Sequence, residues 1–217
     1  MGFHRIDSSA WERAEHFAHY RRSVPCAYSV TVSLRITRLL PLLREGGYKF
    51  FPTLVYLLAR EVNAHREFRL ALDGEGQVGY YDEMVPSYTV FHEDSETFSN
   101  LWTPYSPQFS TFYRAMQEDL AEYGENKAFY AKPDGPKNQF PISCTPWTGF
   151  TAFHIHVFEN QDYLFPIFTI GRYEEQNAEI RLPLAVQIHH AAADGFHTGR
   201  LFRKLQELCD QPEQFLP

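Results

Sequence analysis

Strand-like and helix-like hydrophobic patterns alternate along the 217 residues, which predicts an α/β fold. Three observations carry this. From Glu179 to Ile188, the apolar residues Ile180, Leu182, Leu184, Val186 and Ile188 occupy every second position, the period of a half-buried strand. Leu201, Leu205 and Leu208 recur at helical spacing among Arg, Lys and Glu, as do Leu54, Val55, Leu57, Leu58 and Val62 further upstream. Turn-forming pairs such as Gly46-Gly47, and the Asp73–Gly76 run, punctuate these segments.

The elements follow in order. Ser8 and Ser9 are placed to cap a first helix with Trp11, Phe17 and Tyr20 on one broad face, ended at Pro25-Cys26. Tyr28 to Ile36 alternates as a strand. Thr37 is set to cap a short helix carrying Leu39, Leu40, Leu42 and Leu43, stopped by Gly46-Gly47. A buried helix begins near Pro52. Phe68–Leu72 and Gln77–Tyr81 flank Asp73-Gly-Glu-Gly76 as a hairpin. Tyr88–Phe91 reads as a strand, and Thr97-Phe98-Ser99 as loop. Pro104 and Pro107 introduce a helix with Phe109, Phe112, Tyr113, Met116 and Leu120, ending at Gly124. Lys132–Pro136 is an internal loop. Phe140–Trp147, Thr151–Phe158 and Phe165–Tyr173 are strand candidates ahead of the Glu179–Ile188 strand. With no repeats or linker, one domain spanning 1–217 is expected.

Composition narrows the function. A net charge of −7 and a pI near 5.8 argue against a nucleic-acid partner. Three cysteines, Cys26, Cys144 and Cys209, are too few for a disulfide framework and suit a reducing cytosol. The first residues lack the apolar core of a signal peptide, and the longest apolar run, Phe50 to Ala59, is too short to cross a bilayer. A cytoplasmic protein with no membrane partner is expected. Aromatic residues reach 16%, which suggests a filled core or an aromatic pocket.

The densest chemistry lies at Gln187-Ile188-His189-His190-Ala191-Ala192-Ala193-Asp194-Gly195, where a strand passes into a helix. Gly195 is expected to use the backbone freedom of glycine in that turn. Continued strand alternation would put His190 on the face of the buried apolar residues and His189 on the other. A desolvated imidazole there suits a general base.

The His189-His190-x-x-x-Asp194-Gly195 pattern resembles the signature of the coenzyme A-dependent acyltransferases. Trp11-Glu-Arg13-Ala-Glu15-His16-Phe17 resembles the opening of the chloramphenicol acetyltransferases of type A. Lys49-Phe-Phe-Pro52, Asn63-Ala-His65-x-Glu67-Phe68-Arg69 and Tyr123-Gly-Glu-Asn126 extend that resemblance over roughly Trp11 to Leu208.

The resemblance implies a two-layer α/β sandwich with a large mixed sheet, assembled as a homotrimer with sites at subunit interfaces. It implies acetyl transfer from acetyl-coenzyme A, a co-substrate and not a bound cofactor, to the primary (C3) hydroxyl of chloramphenicol. His190 would be the base and Ser143 the oxyanion donor. Thr169 would hold a water near that site. Asp194 would pair with Arg13 to hold the histidine loop. Tyr20, Cys26, Tyr28, Phe98, Tyr130, Phe153, Ile155 and Val157 match acceptor-pocket positions, and Arg172 and Tyr173 the coenzyme side. No metal is implied.

One departure opens a second reading. His154 and His156 stand where the family tends to carry Asn or Asp, and two histidines two apart on a strand could bind zinc with a carboxylate. An acyltransferase acting on another alcohol is the other alternative.

Overall fold

A computed structural model describes residues 2–157 and 162–217. Strand β1 (Phe3–Arg5) leads to a short helix α1 (Ala14–Ala18), which continues as a π-helix over His19–Ser23. Then come β2 (Ala27–Arg35), α2 (Leu39–Glu45), α3 (Phe50–Ala64) and a 3-10 turn at Arg66–Arg69. Next follow β3 (Leu70–Leu72), β4 (Val78–Tyr81), β5 (Val85–His92), β6 (Thr97–Trp102) and α4 (Phe109–Tyr123). The chain continues through β7 (Gln139–Thr145), β8 (Ile167–Gly171), β9 (Glu174–Gln176), β10 (Glu179–His189) and α5 (Gly195–Asp210).

The large sheet runs β2-β10-β8-β7-β5-β6, with β9 paired to β10. It is mixed: β5–β7 and β7–β8 are parallel, the other pairs antiparallel. A small sheet β1-β4-β3 forms separately.

The periodicity of β10 explains the layering. Leu182, Leu184, Val186 and Ile188 enter the core, with Leu201, Leu205 and Leu208 of α5 facing them. Helix α3 lies between α4 and α5 and is buried on nearly every side, which is why it reads as almost continuously apolar. Phe140, Ile142, Phe168 and Ile170 complete the same core face. The other face of β10 carries Ala185, Gln187 and His189, and that of β7 carries Ser143.

Several expectations are corrected. Ser8 and Ser9 cap nothing: Ser9 bonds Asp7, and α1 begins behind Arg13 without a side-chain cap. Thr37 does not cap α2; its hydroxyl accepts from the Ile180 amide and so ties β2 to β10. Thr97–Ser99 is no loop but the start of β6, because β5 offers a free edge and pairs Phe91 with Phe98. The hairpin strand begins at Leu70, the preceding residues forming the 3-10 turn. Residues 151–157 form no strand, and Phe158 lies outside the described residues. Gly195 has no positive φ and opens α5 as an ordinary helical residue; the left-handed glycines are Gly47 and Gly76.

Candidate active site

The strand β10 ends at His189, and His190 follows in a turn. The His190 amide donates to the Cys26 carbonyl at 2.9 Å, which anchors the turn to the approach to β2. The imidazole lies on the helix-covered side, stacked parallel on Tyr20 at 3.8 Å and tilted against Tyr28 at 5.2 Å. Tyr20 comes from the π-helix, whose extra residue per turn is a local distortion often found at functional positions. The Tyr28 hydroxyl donates to Thr198 at 3.4 Å, and burial pushes its phenol up to about 12. Nδ1 of His190 is buried with no hydrogen-bond partner among the described residues. Aromatic packing, and not a hydrogen bond to the ring, therefore orients this imidazole.

Asp194 has two jobs, of which the sequence reading named one. Its Oδ2 accepts from Arg13 Nη1 at 2.7 Å, as expected. Its Oδ1 accepts from the Phe196 amide, making Asp194 the N-cap of α5. His197 closes a capping box: its Nδ1 accepts from the Asp194 amide at 3.1 Å and lies 2.8 Å from Oδ1. An aspartate just before an apolar helical pattern is a cap signal that was available in the sequence.

Ser143 and Thr169 lie side by side on β7 and β8, their hydroxyls 3.1 Å apart on the sheet face away from the helices. Thr169 pairs with Ala185, and Ala185 with Thr31, whose hydroxyl accepts from the Phe153 amide at 3.2 Å. His190 is therefore about 16 Å along β10 from that row, and Ser143 a further two strands, about 10 Å, to the side. Within one chain the two groups stand on opposite sides of the sheet, too far apart to share one reacting carbonyl.

The remaining sites group as follows. Cys26, Tyr28, Ile155 and Val157 line a cavity of about 540 Å³, together with His189, His154 and Tyr163. Phe98 and Tyr130 belong to an exposed aromatic patch. Trp147 packs on Phe91, Phe91 pairs with Phe98, Phe98 packs on Phe129, and Phe129 on Tyr130, which is 75% exposed. Arg172 donates to Glu174, and Tyr173 packs edge-on against Phe50 at the start of α3. Sequence reading missed that this contact sets Tyr173 against the first residue of α3.

His154 and His156 do not share a strand face, since no strand forms there, and no cluster of three metal-ligating side chains occurs among the described residues. Burial pushes the Cys144 thiol up to about 11 and the Cys209 thiol up to about 12, so neither is a ready nucleophile. No helix among the described residues is long and apolar enough to cross a membrane.

Comparison with known proteins agrees across the chain. Residues 1–206 match the family described as Chloramphenicol acetyltransferase. A chloramphenicol acetyltransferase of Vibrio anguillarum is 46% identical over 208 residues, covering 96% of this chain and 94% of that protein. One from Clostridium perfringens is 46% identical over 210 residues, covering 97% and 100%. Among solved structures, a chloramphenicol acetyltransferase superposes with a TM-score of 0.88 at 24% identity, covering 96% of this chain and all of that one. A dihydrolipoamide acetyltransferase of Azotobacter vinelandii follows at 0.68 and 18%, covering 93% and 88%. These last two matches concern the fold alone. With the family matched over nearly its whole length, and with the histidine loop built as the sequence pattern required, this chain belongs to the chloramphenicol acetyltransferase family of acyltransferases.

Proposed function

We propose that the protein transfers the acetyl group of acetyl-coenzyme A to the primary (C3) hydroxyl of chloramphenicol, with His190 as general base. The observation that carries this is the held imidazole: His190 clamped between Tyr20 and Tyr28, on a loop tied by Asp194 to Arg13. Nε2 takes the hydroxyl proton as the oxygen attacks the thioester carbonyl. The tetrahedral oxyanion is met by the Ser143 hydroxyl, with Thr169 beside it. Collapse expels the thiolate, which recovers the proton from the imidazolium. No acyl-enzyme forms, consistent with the elevated thiol pKa values at Cys144 and Cys209.

The separation of His190 from Ser143 within one chain favours a site built between subunits, His190 of one facing Ser143 of the next, in a homotrimer. The aromatic patch from Trp147 to Tyr130 supports the same assembly, because apolar surface of this kind ordinarily marks an interface. Phe153, Ile155, Val157, Cys26 and Tyr28 suit the acceptor, and Arg172 and Tyr173, the latter packed on Phe50 at the α3 N-terminus, suit coenzyme phosphates.

The test is release of free coenzyme A thiol from acetyl-coenzyme A with and without chloramphenicol. Thiol release should require the antibiotic and be insensitive to chelators. Release that is independent of chloramphenicol but needs another alcohol would move the assignment to a related acyltransferase.

A further inference from the structure

The mechanism leaves His189 without a task, yet its setting is specific. It is 6% exposed, on the sheet face opposite His190, and lines the 540 Å³ cavity with Ile155, Val157 and Phe165. Its Nδ1 accepts a hydrogen bond from the Ala191 amide at 3.1 Å. An amide N–H can only donate, so Nδ1 must be the bare nitrogen and the ring proton sits on Nε2. Burial holds the imidazole pKa below its ordinary value, outweighing nearby Asp162, and so keeps the ring neutral. Nε2–H has no hydrogen-bond partner among the described residues, which leaves it available to the cavity that the ring lines.

Tyr163 lines the same cavity, its phenol kept protonated by burial and likewise unpartnered among the described residues. Among the described residues the lining includes no Lys, Arg, Asp or Glu. Arg21, whose charge reaches His189, is paired with Asp162 at 2.9 Å. An anion would find no Lys or Arg among these residues. An apolar body carrying an uncharged acceptor group would find the His189 and Tyr163 donors, with Ser29, Gln187, His154 and His156 also in the lining.

We propose that His189 is a specificity-determining residue, whose Nε2–H donates to an uncharged hydrogen-bond acceptor, a carbonyl or nitro oxygen, on the alcohol substrate seated against Ile155 and Val157. The Tyr163 phenol is the second donor of the same pocket. This rests on the acceptor assignment above and adds how the acceptor is recognised. In the between-subunit site proposed above the two histidines divide the labour: Nε2 of His190 from one subunit takes a proton from the substrate, and Nε2 of His189 from the subunit that carries Ser143 gives a hydrogen bond to it.

Two substitutions separate the pocket role from a loop role. In His189→Asn the amide oxygen stands near the place of Nδ1, keeping the Ala191 acceptor and losing the Nε2 donor. In His189→Gln the amide nitrogen reaches the place of Nε2, keeping the donor and losing the loop acceptor. The Asn variant should raise KM for chloramphenicol roughly 5–10-fold, the scale of one hydrogen bond, with kcat within about twofold and KM for acetyl-coenzyme A unmoved. The Gln variant should keep KM near the parent value and lower kcat.

An unchanged chloramphenicol KM in the Asn variant, or equal shifts in both Michaelis constants, would overturn the proposal. If that variant does not fold, Tyr163→Phe carries the test: it should raise the same KM alone, and no change would overturn the proposal. A parent protein that turns over no chloramphenicol would fail at the earlier step, removing the acceptor assignment and this inference with it.

Discussion

Arg13 and Asp194 stand 181 residues apart in the chain, yet Nη1 of the arginine lies 2.7 Å from Oδ2 of the aspartate. The pair is partly shielded, at 20% and 34% side-chain exposure. It joins the end of the loop bearing His190 to the start of the first helix. Because Asp194 also caps α5, one carboxylate fixes the loop, the helix and the N-terminal segment together.

Removing either partner should therefore cost stability and turnover. Asp194→Asn keeps a capping oxygen and loses the charge pair; Asp194→Ala loses both, so it should be worse by about 1 kcal/mol. The coupling between Arg13→Val and Asp194→Asn should be about 1–2 kcal/mol, between the scales for exposed and fully buried pairs. Thermal midpoints of the singles and the double measure it; strictly additive losses would mean that the contact carries no energy. Burial alone would raise the Asp194 carboxyl, but Arg13, His197 and the Phe196 amide hold it below its ordinary value. Its stabilisation is therefore full above the unfolded carboxylate pKa and lost as pH falls through the depressed folded one. Asp194→Asn should narrow its stability gap to the parent below about pH 4.

His190→Ala should abolish turnover in a folded protein, and Ser143→Ala should lower kcat about 10²-fold with little change in KM. If each site takes His190 from one subunit and Ser143 from the next, mixed assemblies of the two variants regain activity. Random mixing of denatured and refolded subunits should restore roughly a quarter of the parental sites. No recovery above the sum of the separate variants would place both groups in one chain.

The parallel stack of Tyr20 on His190 predicts a graded response. Tyr20→Phe retains the ring and should keep the imidazole in position. Tyr20→Leu removes the stacking surface and leaves the ring only its tilted contact with Tyr28. The Leu variant should lose about tenfold in kcat, the scale of one aromatic pairing. Equal kcat in the two would show that packing against Tyr20 is not what sets the ring.

Glu61 predicts a pH-dependent gain. Burial pushes this α3 carboxyl above its ordinary value. His65 Nε2 is 3.8 Å away, but burial first and Arg200 second lower the histidine's own pKa. A carboxyl with a raised folded pKa contributes stability below the unfolded pKa that is lost as pH rises through the folded one. Glu61→Gln should therefore raise Tm at pH 8 and leave it nearly unchanged at pH 4. A loss at pH 8 would mean that the ionised pair with His65 is stabilising.

Much of this molecule was legible in one dimension. The alternation through Ile188 and the helical spacing of Leu201, Leu205 and Leu208 specify β10, α5 and the face each one buries, because side-chain direction follows backbone period. The joining motif carried the family, and with it the Arg13–Asp194 pairing that the fold contains. Tertiary structure alone decided the rest. Thr97–Trp102 is a strand only because β5 presents an edge to it, while residues 151–157 alternate just as well and find no ladder. The Tyr20 stack, the cavity setting of His189 and the wide separation of Ser143 from His190 all depend on how distant segments, among them the strands ordered β2-β10-β8-β7, come together. Periodicity states which way a residue faces. Which strand lies beside it is set by contacts between distant segments, and no local pattern encodes those.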